Sequence, residues 1–160
     1  FCRQNQILGW ICLQNKVMEM RENLDELSDA LKKTERRKMT RDEHIQNTET
    51  CQDTIDAYHH YRTMKPKRQA EFYENHRADI IQHENAKKHL NGVLNGSTTI
   101  PLRTWKKELT TLGIEHDGLY AEYTELRFEV QNAETILRCA EQTIREEAQV
   151  KVQRDKNIEL

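Results

Sequence analysis

In the C-terminal half of the chain, Leu102, Trp105, Leu109, Leu112, His116, Leu119, Tyr123, Leu126, Val130, Ala133, Leu137, Ala140 and Ile144 fall alternately three and four residues apart. This is the a/d spacing of a heptad seam, sustained over about six repeats, and a strict seven-residue period calls for a left-handed supercoil against a partner stripe of the same kind. A matching stripe lies upstream. Trp10, Leu13, Val17, Met20, Leu24, Leu27 and Leu31 keep the same spacing, and after a polar interval the stripe resumes loosely at Ile45, Thr48, Ile55 and Tyr58. Two long helices, at about 4–62 and 101–149, are therefore expected to carry complementary seams. Joined within one chain, they are expected to pair antiparallel as a coiled-coil helical hairpin. A homodimer through the same seams is the competing arrangement, and the spacing leaves it open.

Between the long helices, "RQAEFYENHRADIIQHENAKKHL" (68–90) sets Phe72, His76, Ile80, His83 and Leu90 near one face, with acids and bases on the others. It reads as one shorter helix, begun just after Pro66 and ended by the breakers of "NGVLNGSTTIP", the loop at 91–100 before Pro101. Thr98 or Thr99 is the expected cap of the last helix, with Pro101 in its first turn. Thr34, Lys38 and Arg41 occupy seam positions, which predicts a local loosening or kink over 34–41; a frayed tail is expected at 150–160. No period-two β-branched run occurs, so the fold class is all-α: a single helical region spanning 1–160, with the shorter helix inserted between the two long ones. A register that places Leu24 opposite Ala140 leaves the first dozen residues, including the apolar "ILGWICL" (7–13), beyond the end of the last helix and exposed.

Composition agrees with an extended helical region. The chain is 36% hydrophobic and 32% charged, with five glycines and two prolines, an exposed balance for a compact globule. Cys2, Cys12, Cys51 and Cys139 form no C-x-x-C pair and have no zinc-ligand spacing, so a reduced, cytoplasmic setting is expected. The apolar stretch at 7–13 is too short for a membrane span and lacks a signal peptide's basic start and cleavage site, so no membrane partner is expected. A chain that begins at Phe1 is read as a fragment of something longer.

"KPKRQAEFYENHRADIIQHENAKKHL", "IPLRTWKKEL" and "LYAEYTELRFEVQNAETILRCAEQTIREE" resemble the helical C-terminal region of relaxases of the MobA/MobL, mobilisation-nuclease type, carried by conjugative and mobilisable elements of Gram-positive bacteria. The resemblance covers about 63–149, and extends to the first helix only in general character. It implies a DNA-nicking nuclease domain in the same longer chain, with other transfer proteins and DNA as partners. Such a nuclease uses a tyrosine and a metal-binding histidine cluster on β-strands. No strand pattern carries a His-hydrophobic-His pair here, so no catalytic residue, metal ligand or cofactor is assigned, and this region is read as non-enzymatic.

The candidate chemistry is weighed by geometry. Tyr58, His59, His60 and Tyr61 pair aromatic and imidazole groups, but neighbouring helical side chains point about 100 degrees apart, so His59 and His60 are read as facing water while the tyrosines cover the end of the seam. His76, Asp79 and His83 share a face, yet the two histidines lie about 10 Å apart along a helix, too far for one ion. His116 is read as setting the register of the seam. Phosphate contact is the remaining chemistry. Lys32, Lys33, Arg36, Arg37, Lys38 and Arg41 form one basic cluster, and Arg62, Lys65, Lys67 and Arg68 a second, in a chain of net charge -2. Three roles follow: a non-catalytic helical region of a relaxase that contacts proteins or DNA, a generic coiled-coil scaffold or oligomerisation module, or a weak single-stranded nucleic-acid-binding module.

Overall fold

A computed structural model describes residues 2–158, with side chains over 8–155. Among the described residues every regular element is helical: α1 (Cys2–Thr63), α2 (Pro66–Asn75), α3 (Arg77–Leu94) and α4 (Leu102–Ile158). The two long helices pack together. The chain divides into two compact units, one made of residues 1–32 with 117–160 and the other of residues 33–116.

In the first unit the seam is thin. Val17 and Val130 are its buried apolar residues, while Leu13, Met20, Leu24, Leu27, Tyr123, Leu126, Ala133 and Leu137 are half-buried, as their spacing predicts. Arg21 bonds Glu134 across the seam at 2.6 Å. Trp10 and Leu13 lie beside Ala140 and Ile144, well off the register that sets Leu24 against Ala140. Two expectations are corrected here. α4 remains helical through Ile158 instead of fraying from 150, and the shifted register sets Ala140, Thr143, Ile144 and Glu147 beside Trp10 and Leu13, so the overhang shrinks to an exposed Leu8 (63%) and Ile11 (43%). The side chains of Cys2 and Ile7 lie outside the described set.

In the second unit α1 gains α2 and α3 as neighbours and α4 gains α3, and a buried core forms. Ile45 from α1, Leu90 from α3 and Trp105 from α4 are buried together, flanked by Cys51, Val93, Leu94, Leu102 and Leu109. The upstream stripe does not pass through Ile55, which is 47% exposed; it runs through Thr48, Cys51 and Thr54, because α1 must here face α3 as well as α4. α1 is one continuous helix across 34–41, where Thr34 is buried and donates to Glu115, Arg41 pairs with Glu108 and Lys38 is half-buried.

The expected single short helix is two helices. Nothing in the residue types at Asn75 or His76 marks a break, yet His76 leaves helical geometry at φ -122°, ψ 23°. The cause is tertiary: Phe72 and Tyr73 meet rings of α1's last turns, while Ile80, His83, Ala86 and Leu90 bury the face of α3, so each helix is aimed by its own anchors. Pro66 opens α2, where its missing N–H costs nothing. α3 runs on through Leu94, four residues into the expected loop, and stops where Asn95 (φ 47°) and Gly96 (φ 89°) take left-handed backbone; the Ser97 N–H then returns to the Leu94 carbonyl. Neither Thr98 nor Thr99 lies next to α4: Pro101 precedes it and accepts the Trp105 N–H, while Thr99 N–H goes to Ser97 Oγ.

Leu90→Ala is expected to cost roughly 2–5 kcal/mol, the usual loss for a buried leucine, whereas Ile114→Ala, at a 72% exposed position, should change stability by under about 0.5 kcal/mol. Urea unfolding followed by far-ultraviolet circular dichroism checks both.

Candidate functional site

The polar groups of the second unit collect where α3 lies on α1. His44 is buried beside Ile45, its ring 5.1 Å from that of Trp105, and its Nδ1 sits 3.0 Å from His89 Nε2. Two imidazoles can share such a bond only when one donates and the other accepts. The Glu43 carboxylate, 3.7 Å from His89 Nδ1, favours the proton there, which leaves Nε2 to accept from His44. A second charge on this pair would remove the acceptor and set two cations side by side.

Two turns along, His83 is also buried. Its Nδ1 lies 3.0 Å from Thr54 Oγ1, and its ring stacks on Tyr58 at 4.2 Å and 17°. Thr54 spends its hydroxyl proton on the Thr50 carbonyl at 2.6 Å, so its oxygen is free to accept from the imidazole. Thr48, 1% exposed, likewise donates to the His44 carbonyl. These i to i-4 bonds allow threonine to be buried in a helix face at little cost in unsatisfied polarity.

Burial, then the neighbouring His89 and Arg41, hold His44 below the ordinary imidazole pKa, with Glu43 pulling the other way. Burial and then Lys87, whose ammonium also lies over the Tyr58 ring, do the same to His83, offset in part by a backbone hydrogen bond at Cys51 and by Glu84. Burial pushes the Cys51 thiol up. The arrangement favours neutral, inert groups, the reverse of an activated nucleophile.

The residues singled out by sequence are distributed as follows. Tyr58 covers His83 and Tyr61 meets Tyr73 at 5.7 Å; His59 is exposed, and His60, also exposed, edges onto Phe72 at 5.0 Å. His76 closes α2 with its ring 4.1 Å from Phe72, Asp79 is exposed and His83 is buried, so the three do not converge. Among the described residues no group of three or more His, Cys, Asp and Glu is placed to hold a metal ion. His116 is half-buried in the seam. The pairing of His44 with His89 was not signalled by any motif. Its only trace in the sequence is a histidine beside Ile45 in a stretch where threonines replace leucines on the stripe.

The two basic clusters fare differently. Lys32 lies 3.4 Å from Asp29, Arg37 pairs with Glu115 at 3.9 Å and Arg41 with Glu108; Lys38 is half-buried, and Lys33 and Arg36 are exposed. Arg62, Lys65, Lys67 and Arg68 are all exposed around the turn from α1 to α2, in no ion pair with a described residue.

No helix among the described residues is long and apolar enough to cross a membrane. No family model, curated protein or solved structure matches the chain.

A histidine whose pKa is lower in the folded chain binds its proton more readily when unfolded, so the stabilisation is full above the ordinary value near 6.5 and is lost as pH falls through the folded values. The groups facing His44 are Arg41 and Glu43 on α1 and His89 on α3, with Glu108 of α4 occupied by Arg41. The urea midpoint is therefore expected to fall from about pH 7 to about pH 5, and His44→Gln, which keeps a polar group but cannot titrate, should flatten that fall. A midpoint independent of pH over this range would contradict the assignment.

Proposed function

We propose that the chain is a non-catalytic helical region of a DNA-mobilising relaxase, one that mediates contacts with DNA or transfer proteins during conjugative transfer, with its two long helices forming an antiparallel coiled-coil hairpin. The resemblance over 63–149 supports the relaxase origin. Within the second unit Arg37 pairs with Glu115, Arg41 with Glu108 and Glu49 with Lys106, so partners descend along α4 as they ascend along α1, which supports the hairpin.

The observation that carries a holding role over a reacting one is the fate of the titratable groups. The buried histidines are spent on helix-to-helix bonds with Thr54 and with each other, while the unpaired cations stand on exposed surface. Groups used in this way fix the packing and leave the surface to meet partners.

A second reading, a scaffold or oligomerisation module of unrelated origin, is favoured by Phe128 (64% exposed) and Ile136 (59%), which lie eight residues apart on one face of α4 in the first unit. If that face joins copies of the chain, light scattering after size-exclusion chromatography should give a multiple of the 19.1 kDa monomer mass, reduced by Phe128→Ser with Ile136→Ser.

For the relaxase reading, the reading frame upstream of Phe1 is expected to encode a nuclease domain, and deletion of 63–149 from that longer protein should leave strand nicking intact while abolishing DNA transfer between cells. An upstream frame without a nuclease, or transfer unaffected by the deletion, would overturn it.

A further inference from the structure

The ten cations that the sequence offers to phosphate are not equivalent once folded. In the α1 cluster, Arg37 and Arg41 lie against Glu115 and Glu108, and Lys32 against Asp29, while Lys33, Arg36 and Lys38 form no ion pair with a described residue but have Glu35 among them. Exposed pairs such as these are weak, about 0–1 kcal/mol each, so a phosphate could displace them; the carboxylates would nonetheless remain beside it and cancel much of the local field. The turn from α1 to α2 has no such acids between its cations. Arg62, Lys65, Lys67 and Arg68 are exposed within seven residues, on both sides of Pro66, and Glu71 and Glu74 come only further along α2.

Aromatic rings meet across the same two helices that the turn joins. Tyr61 and Tyr73 are 5.7 Å apart, His60 and Phe72 5.0 Å, and Phe72 and His76 4.1 Å. Tyr61, Phe72, Tyr73 and His76 are half-buried and His60 is exposed, so each of these side chains is partly open to solvent on the helices that flank the turn. The rings pack on one another, and Gln69 of α2 donates to the Tyr61 main-chain carbonyl of α1 at 3.1 Å, so the helix ends that carry them are tied together before any ligand arrives.

Cations that attract a phosphodiester backbone and fixed aromatic faces that accept unpaired bases are the two components of a single-strand surface. In a duplex the base faces are stacked on one another and cannot reach the rings. We infer that the exposed turn joining α1 and α2 binds single-stranded nucleic acid, with Arg62, Lys65, Lys67 and Arg68 on phosphates and the neighbouring aromatic side chains against bases. This deepens the relaxase reading, on which it rests for its biological setting, by assigning the nucleic-acid contact to one surface and withdrawing it from the α1 cluster.

Fluorescence anisotropy of a labelled oligothymidylate with the 160-residue chain tests the assignment. Four phosphate contacts on a single strand give a slope of log K against log salt of about -2.8, a roughly 50-fold loss between about 50 and 200 mM salt. The variant Arg62→Gln/Lys65→Gln/Lys67→Gln/Arg68→Gln is expected to abolish that slope, and Lys33→Gln/Arg36→Gln/Lys38→Gln to leave it unchanged. An abasic strand with the same phosphates should bind at least about fivefold more weakly, the equivalent of one lost stack. Circular dichroism of each variant checks its fold, and the abasic comparison needs no variant. Absence of binding at low salt, equal binding of the abasic strand, or an unchanged slope in the first variant each overturns the inference. None of these results touches the upstream nuclease or the transfer assay, so the relaxase reading fails or stands separately.

Discussion

Everything in this protein depends on how narrow the apolar stripe of a two-helix contact is. A seam of a and d residues covers only one side of each helix, and most of its side chains stay within reach of water at their edges. The first unit shows the consequence, since its seam leaves Val17 and Val130 buried and the leucines around them half-buried. Hydrophobic burial of this kind yields about 25 cal/mol per Å² removed from water, so partial burial spread along a helix gives modest stability per residue. Charge pairs such as Arg21 with Glu134 flank the stripe and add specificity of pairing more than energy.

The second unit escapes that limit by adding α2 and α3. Three helical segments, α1, α3 and α4, give Ile45, Leu90 and Trp105 full cover, and the same enclosure takes in residues that a two-helix seam would leave wet. His44, Thr48, Thr54 and His83 are buried there, each with a hydrogen-bond partner in a helix or across one. A polar core of this type specifies which helix lies on which, because a shifted helix would strand an imidazole or a hydroxyl without its partner. It also exposes the packing to pH, since two of these groups are histidines that the site keeps neutral.

The seam was legible in the sequence because its period is long and strict: Leu102 through Ala140 are all buried or half-buried on the predicted stripe, and so are Trp10 through Leu31. What spacing could not give was register and branching. Arg21 meets Glu134, a choice set by flanking charges that many alignments of two similar stripes would allow. Ile55 was assigned to the stripe by hydrophobicity, whereas Thr54 takes the buried place because a third helix approaches from its side and offers His83 as a partner. The break at His76 has no glycine or proline to announce it, and arises from contacts more than ten residues away in sequence, of Phe72 with His60 and Tyr73 with Tyr61. Of the candidate site, the cations were legible one by one; which of them retain an unopposed charge was not, because Glu108 and Glu115 lie far off in sequence and reach Arg41 and Arg37 only through the fold.

That last distinction reaches beyond electrostatics. Helices that pair along a seam bring the flanking residues of one against those of the other, so the cations of such a pair tend to be matched by acids selected with the seam itself. A turn between helices has no opposing helix and no such matching. Cations placed there keep their field, and the cost of holding like charges together in Arg62, Lys65, Lys67 and Arg68 is not offset by any ion pair in the described structure. Uncompensated repulsion on a surface is what binding of an anion relieves, whereas the matched charges along α1 and α4 are already relieved by folding. The division of charge between helix flank and turn therefore follows from the same narrow stripe that holds the long helices together.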